Sequence, residues 1–265
     1  SKMIRAYWKF AKTSFKRLMI YRAANLAGIA TNLCWGFFRA YLLLAVLEAS
    51  PGVGGYDHDS IIIYTGFSQA LTAPLKVFGW WDLLRTIKSG EIISDFCKPI
   101  DFYGMWYARD CGHAVYQLVA RGLPLMLLFL AIFRIPLRLS ASMGLAFLIS
   151  MTLALQISFS WRMIYNAMAF WTLDAKGVAA MANIVSLFLM GFIIPVGFFP
   201  PWLQQAVQLT PFPAMFDIPL AILMDVPGTE VLLLLSRQVF WMLILIIAAR
   251  CLLHIGTKKV VIQGG

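Results

Sequence analysis

Charge is scarce in this sequence. Only 13% of its 265 residues are Asp, Glu, Lys or Arg, against roughly 25% in an ordinary soluble domain. A chain so poor in charge cannot clothe a water-exposed surface of normal size, which excludes a soluble globular fold. Cysteine is sparse too. Cys34, Cys97, Cys111 and Cys251 stand apart with no close pair, so nothing indicates a zinc knuckle, a redox pair or a disulfide framework. They read most simply as small apolar packing residues. No Gly-x-x-x-x-Gly-Lys-[Ser/Thr] stretch occurs; without that backbone nest and its lysine, the chain has no phosphate-cradling loop of its own. The three histidines are isolated. His58, between Asp57 and Asp59, would hold a metal only if its turn folded around it, and consecutive side chains in an exposed turn meet water instead. His113 near Arg109 and Asp110 is no catalytic pair, and His254 marks an interfacial helix end. No spacing brings together a nucleophile, a base or metal ligands, so no catalytic residue and no metal site are assigned. The basic start, residues 1–22, lacks the compact apolar core and small-residue cleavage site of a secretory signal.

What the sequence has in abundance is apolar length. Hydrophobic residues make up 61% of it, with mean hydropathy +0.78. The few charges cluster between long apolar runs, as expected when lipid solvates the helices and water only the loops. The reading is an all-α polytopic membrane protein with six transmembrane helices, near residues 24–48, 60–80, 111–133, 140–164, 178–197 and 231–253. Pro74 is expected to kink the second. Ahead of them, Ile4, Tyr7, Trp8, Ala11, Phe15, Leu18 and Met19 recur at helical spacing among lysines and arginines, which suits an interfacial helix. The alternative is a basic tail that orders only against a partner. Residues 81–110 are too charged to cross; Leu83, Leu84, Ile87, Ile92, Ile93 and Phe96 line one side of short helices broken at Gly90 and Pro99. Residues 198–228 hold six prolines between short apolar pieces and read as helical fragments or a re-entrant hairpin packed against other helices.

The formal charge of +10 does not point to nucleic acid, because the basic residues flank apolar spans instead of forming a soluble patch. Six crossings put both termini on one side. That side holds seven basic residues between Lys2 and Arg22, then Arg85, Lys88, Lys98, Arg109, Lys176, Arg250, Lys258 and Lys259. Opposite stand chiefly Arg134 and Arg138, with Arg237 in the first turns of the last helix. The bias places the termini and the 81–110 insert in the cytoplasm. Inside the spans, Arg39 and Arg121 line an anionic cargo path or permease interface, or else snorkel and pack within the subunit. Asn32, Gln69, Gln156 and Asn183 suit helix–helix hydrogen bonds, with cargo contact as the second use. Trp80, Trp81, Trp106, Trp171 and Trp202 read as interface anchors.

This layout, with KSGEIISDFCKPID in the insert, LTPFPAMFDIPLAILM late in the chain and the ending AARCLLHIGTKKVVIQGG after RQVFW, resembles the permease subunits of ABC-2 type transporters. The likeness is to the six-span family long described as a domain of unknown function. The resemblance implies a permease domain over residues 23–265 behind the helix of residues 1–22. It implies a coupling helix between spans two and three that docks on a separate ATPase, with Asp82, Arg85, Lys88 and Glu91 as candidate contacts. It implies an outward-side hairpin at 198–228, interrupted here by Pro200, Pro201 and Pro227. ATP and Mg would be bound by that partner ATPase, and a second permease copy or related subunit would complete a dimer in a bacterial or archaeal-type cell membrane. The expected function is ATP-driven export of an amphipathic small molecule, lipid-like compound, peptide or glycan; the alternative is a membrane scaffold or regulatory subunit with the same fold.

Overall fold

The computed structural model describes residues 2–135, 140–172, 174–224 and 227–259. Arg138 and the Gly-Gly terminus lie outside the described residues, which are helical with no strand among them. An N-terminal helix α1 (Lys2–Leu18) precedes the long α2 (Arg22–Ala49). After a glycine-rich turn comes α3 (His58–Leu71), opened by a reciprocal cap. Asp57 accepts from the Ser60 amide at 2.8 Å and Ser60 Oγ sits 2.8 Å from the Asp57 amide; the Ser60 side-chain and backbone donors hold the Asp57 carboxyl below its usual range. The insert carries α4 (Asp82–Ser89) and α5 (Ile92–Phe96).

Next, α6 (Phe102–Gln117) runs through one widened turn, Leu118–Gly122, into α7 (Leu123–Phe133), so that Phe102–Phe133 is a single rod. The widened turn has a local cause. Pro124 has no N–H for the carbonyl four residues back, and opening the helix relieves that clash. The second half adds α8 (Ala141–Ala167) and α9 (Ala175–Leu189), then the short α10 (Pro201–Gln208), α11 (Phe212–Met215) and α12 (Asp217–Leu223), and last α13 (Gly228–Thr257).

Among the described residues, four helices are long and apolar enough to cross a bilayer: Ala23–Ala49, Phe102–Phe133, Ala141–Phe170 and Gly228–Thr257. Their outer faces are apolar yet uncovered. Phe38, Leu127, Leu148, Leu233 and Ile247 each expose more than half their surface, an inside-out pattern that water would penalise and lipid would not. Two of the expected spans are shorter than read. The helix expected over 60–80 ends at Leu71, because Pro74 cannot donate and the chain turns through Lys76 with φ 50°. Pro74 therefore ends the helix instead of kinking it. The helix expected to reach 197 stops at Leu189, where Gly191 takes φ 86° and hands its carbonyl to Tyr64 Oη at 2.8 Å. At 14 and 15 residues, α3 and α9 rise only about 21–23 Å at 1.5 Å per residue.

The prolines of 198–228 divide that stretch into short helices, and α11 and α12 are buried. Met215, Phe216, Ile218, Leu220 and Ile222 pack with Tyr64, Phe67 and Leu71 of α3 and Leu245 of α13. Gln238 pins the seam, donating to Ala214 O at 2.9 Å and Ser150 O at 3.2 Å. At one end of the bundle, α1 runs along α6. Tyr7 lies by Gly104, Ala11 by Gly112 and Phe15 edge-on to Tyr116 at 5.2 Å, so the two helices are parallel. Only part of the apolar stripe of α1 is covered by the protein. Tyr7, Ala11, Phe15 and Leu18 are half-buried, whereas Ile4, Trp8 and Met19 stay exposed.

Candidate functional site

The 81–110 insert builds an amphipathic knob on the end of the bundle that carries α1. Leu83, Leu84 and Ile92 are buried, which sets their side of α4 and α5 against α8 and the loop after it. The side opposite is polar. Asp82, Arg85, Lys88 and Glu91 are all exposed, so the four expected docking contacts share an accessible surface. Asp82 accepts from Trp80 Nε1 at 2.9 Å and pairs with Arg85 one turn on. Lys88 Nζ donates to Thr172 O at 2.8 Å, tying the far end of α4 to the loop after α8. Gly90 closes α4 with φ 77°, a backbone angle that glycine adopts without strain. Ile93, expected to line the buried side, is instead exposed beside Glu91.

The start of α4 is held from a distance. No local side chain caps it, and its first amides need acceptors. Asn166, near the end of α8, accepts from the Leu84 amide at 3.0 Å and donates to Trp80 O at 2.8 Å and Arg162 O at 2.7 Å. A side chain 82 positions away thus does the work of an N-cap. One turn back along α8, Arg162 forms a two-pronged pair with Asp110 of α6, at 3.0 and 2.7 Å. Lys76, in the turn after α3, reaches the same carboxylate at 2.5 Å. Arg162 and Asp110 are 3% and 2% exposed, so this ion triad is interior. Asn166 and Arg162 together connect the knob to α3, α6 and α8.

Sequence reasoning missed this triad. It assigned Asp110 to a cytoplasmic loop and started the third span at 111, but the rod begins at Phe102 and carries Asp110 into the packed interface. A partial signal was present: Arg162 lies inside the predicted fourth span, and an arginine buried there must find a carboxylate or other acceptors. Trp80 and Trp106, read as interface anchors, are 6% and 8% exposed and stack edge-on at 5.5 Å; cations at Lys76, Arg109 and Arg162 lie over the Trp80 or Trp106 rings. Trp202 does lie at the surface. Cys34, Cys97 and Cys251 are exposed, against the expectation that they pack.

The intraspan polar residues fall in two places: Arg121, Asn32, Gln69 and Arg39 follow successive turns of α2, whereas Gln156 and Asn183 lie on α8 and α9. Arg39 is buried, donating to Ser68 Oγ at 2.6 Å and Gly191 O at 3.3 Å, with its guanidinium over the Tyr64 and Phe192 rings. Arg121, in the widened turn, donates to Gly28 O at 3.0 Å. Asn32 bridges to Gln69 O at 3.3 Å and Thr72 Oγ1 at 2.8 Å, stitching α2 to α3. Gln156 donates to Tyr103 Oη at 2.6 Å, between α8 and α6. The side-chain amide of Gln69 is buried without a partner in the protein, and Asn183 lines a small crevice beside Arg162 and Ser186. Within the described subunit, Asn32 and Gln156 join helices, the commoner use of such residues.

In comparison with known families, a family model described as ABC-2 family transporter protein aligns with residues 33–264. No curated protein and no solved structure matches the chain. The matched stretch starts within α2 and takes in the insert, the ion triad and every later helix, leaving α1 outside it. With nearly the whole helical bundle inside that match, the chain belongs to the ABC-2 family of transporter proteins, whose members are membrane transport components.

Proposed function

We propose that this chain is the permease subunit of an ATP-driven exporter, with ATP and Mg handled by a separate ATPase that docks on the 81–110 knob. The observation that carries the reading is the build of α4. Its apolar side is buried, its charged side is exposed to solvent, and Asn166 bolts its first turn to α8. A pull on α4 therefore acts on α8 and, through Arg162 and Asp110, on α6. Nucleotide-driven closure of the ATPase would in this way bias the bundle between inward-open and outward-open states. The cargo class is an amphipathic small molecule, lipid-like compound, peptide or glycan, which needs passage and no covalent chemistry.

In this reading α3 and α9 complete six crossings, their short helical lengths extended by the buried irregular segments that follow them. Non-helical backbone is tolerated at membrane depth when protein surrounds it. The excess of Lys and Arg sets the termini and the knob in the cytoplasm, and α10 to α12 lie toward the outer side. The apolar outer faces of the long helices meet lipid and a second permease, identical or related.

The test is co-purification with the candidate ATPase in detergent, followed by its hydrolysis rate. Arg85→Glu combined with Glu91→Lys is expected to lower ATPase retention at least tenfold and abolish any permease stimulation. Retention of the ATPase by this charge-reversed knob would remove α4 as the docking element. A complex that forms and hydrolyses ATP but moves no cargo in proteoliposomes would leave the scaffold reading in place.

A further inference from the structure

Between α1, the turn before α4 and α6 lies a cavity of about 940 Å³. Its lining is strongly biased in charge. Lys9, Arg17, Lys76, Arg85 and Arg109 face it with only Asp82 and Asp110 as carboxylates. Both carboxylates are already committed, Asp82 to Arg85 and Asp110 to the triad. The triad itself sets two cations against one anion, so a positive charge is left over in a buried place, and Lys76 and Asp110 of the triad line the cavity. Lys9 and Arg17 stand two turns apart on one face of α1 and have no carboxylate partner among the described residues. Arg109 lies over the Phe10 and Trp106 rings, and its ion pair with Asp95 is long, at 3.5 Å.

A second feature points the same way. Trp106 Nε1 and His113 Nδ1, both on α6 and both lining the cavity, are buried with no hydrogen-bond partner in the protein. Buried N–H donors are ordinarily satisfied, and Trp106 is 8% exposed. The indole N–H can only donate, so the partner it lacks is an acceptor. The groove on the other flank of α1 is of similar size, about 880 Å³, and is lined largely by apolar side chains such as Ile4, Trp8 and Val115. Cationic lining is therefore a property of this one cavity and not of the whole end of the bundle.

We propose that the cavity binds a phosphate-bearing anion, the headgroup of an anionic lipid being the form in which a membrane supplies it. Phosphodiester oxygens only accept hydrogen bonds, carry charge that matches the surplus at Lys76, and are numerous enough to meet Lys9, Arg17 and Trp106 from different sides. Occupancy would tie α1 to α6 and to the turn that launches α4. The inference does not rest on the exporter reading and stands or falls by binding alone.

The test uses the full chain, delipidated in a neutral detergent and titrated in native mass spectrometry with short-chain phosphatidylglycerol, phosphatidylcholine of equal chain length, and inorganic phosphate. Phosphatidylglycerol is expected to bind at least tenfold tighter than phosphatidylcholine, and the gap should narrow as salt is raised. The double variant Lys9→Gln, Arg17→Gln is expected to lose about tenfold in that preference, and Trp106→Phe several-fold, with the ring retained and only the N–H removed. Displacement of the lipid by millimolar phosphate would identify the headgroup oxygens as sufficient; binding of the lipid without such displacement would assign the site to the lipid form. Equal affinity for the two lipids overturns the proposal, as does full retention of the preference in the double variant. Those two changes lie on the exposed face of α1, so that arm decides even if Trp106→Phe fails to fold.

Discussion

Asp110 is the residue on which the interior of this bundle turns. It is one carboxylate shared by two cations, and that asymmetry orders the effects of substitution. Asp110→Asn leaves Lys76 and Arg162 close together without an anion, and uncompensated buried charge costs about 3–5 kcal/mol. Lys76→Met leaves the two-pronged Arg162–Asp110 pair intact and neutral, so its expected cost is well under half of that. Thermal unfolding in detergent checks the order; a Lys76 variant less stable than the Asp110 variant would contradict it. Arg39 is a contrasting case, a buried guanidinium that bonds Ser68 and the Gly191 carbonyl and lies over two aromatic rings, with its Nε unpartnered and no carboxylate paired with it among the described residues. From sequence the two arginines look alike. Their difference lies in whether another helix happens to bring an acid.

At the scale of elements, two contacts govern how the working parts are mounted. The parallel packing of α1 on α6 depends on Gly112, because a Cβ there would stand 2.0 Å from the Ala11 carbonyl oxygen, which is backbone and cannot swing aside. Gly112→Ala is expected to lever α1 away while leaving the rest of the bundle folded. Limited proteolysis should then cut at Lys and Arg of α1 several times faster than in the wild type, and an unchanged rate would refute the close approach. The mounting of α4 depends on Asn166. Asn166→Ala removes its distant cap, a loss of about 0.5–2 kcal/mol, and breaks the bond to Trp80 O as well. Under the exporter reading this variant should still retain the ATPase, because the outer face of α4 is untouched, but its transport per ATP should fall. Unchanged coupling would show that α4 passes force by another route.

For the whole molecule, the decisive question is which face of the membrane the knob occupies. Cys97 lies within the insert and is exposed, which makes it a native reporter. With Cys34, Cys111 and Cys251 changed to Ser, a membrane-impermeant maleimide should label Cys97 from the cytoplasmic face and not from the outside. Labelling from outside would invert the topology and with it the docking reading. The same protein presents apolar helix faces over most of its flank; only 11% of the most apolar window of α13 is buried within the subunit. Such a surface holds the chain in a membrane by itself, and a second permease would cover part of it.

Lipid residence was legible in the residues alone, because charge scarcity and long apolar runs report solvent, and solvent preference is local to each segment. So were the short helices of 198–228 and the break at Gly90, since proline and glycine act on their own backbone. The amphipathic knob was legible from its spacing, apart from the placement of Ile93. The length of the second and fifth helices was not, nor the packing of α1 on α6, nor the burial of Trp80 and Trp106, because these depend on which surfaces meet. The ion triad and the distant cap at Asn166 belong wholly to the tertiary structure. Lys76, Asp110 and Arg162 come from three separate segments, and pairing among charges far apart in the chain is decided only when packing removes the water between them.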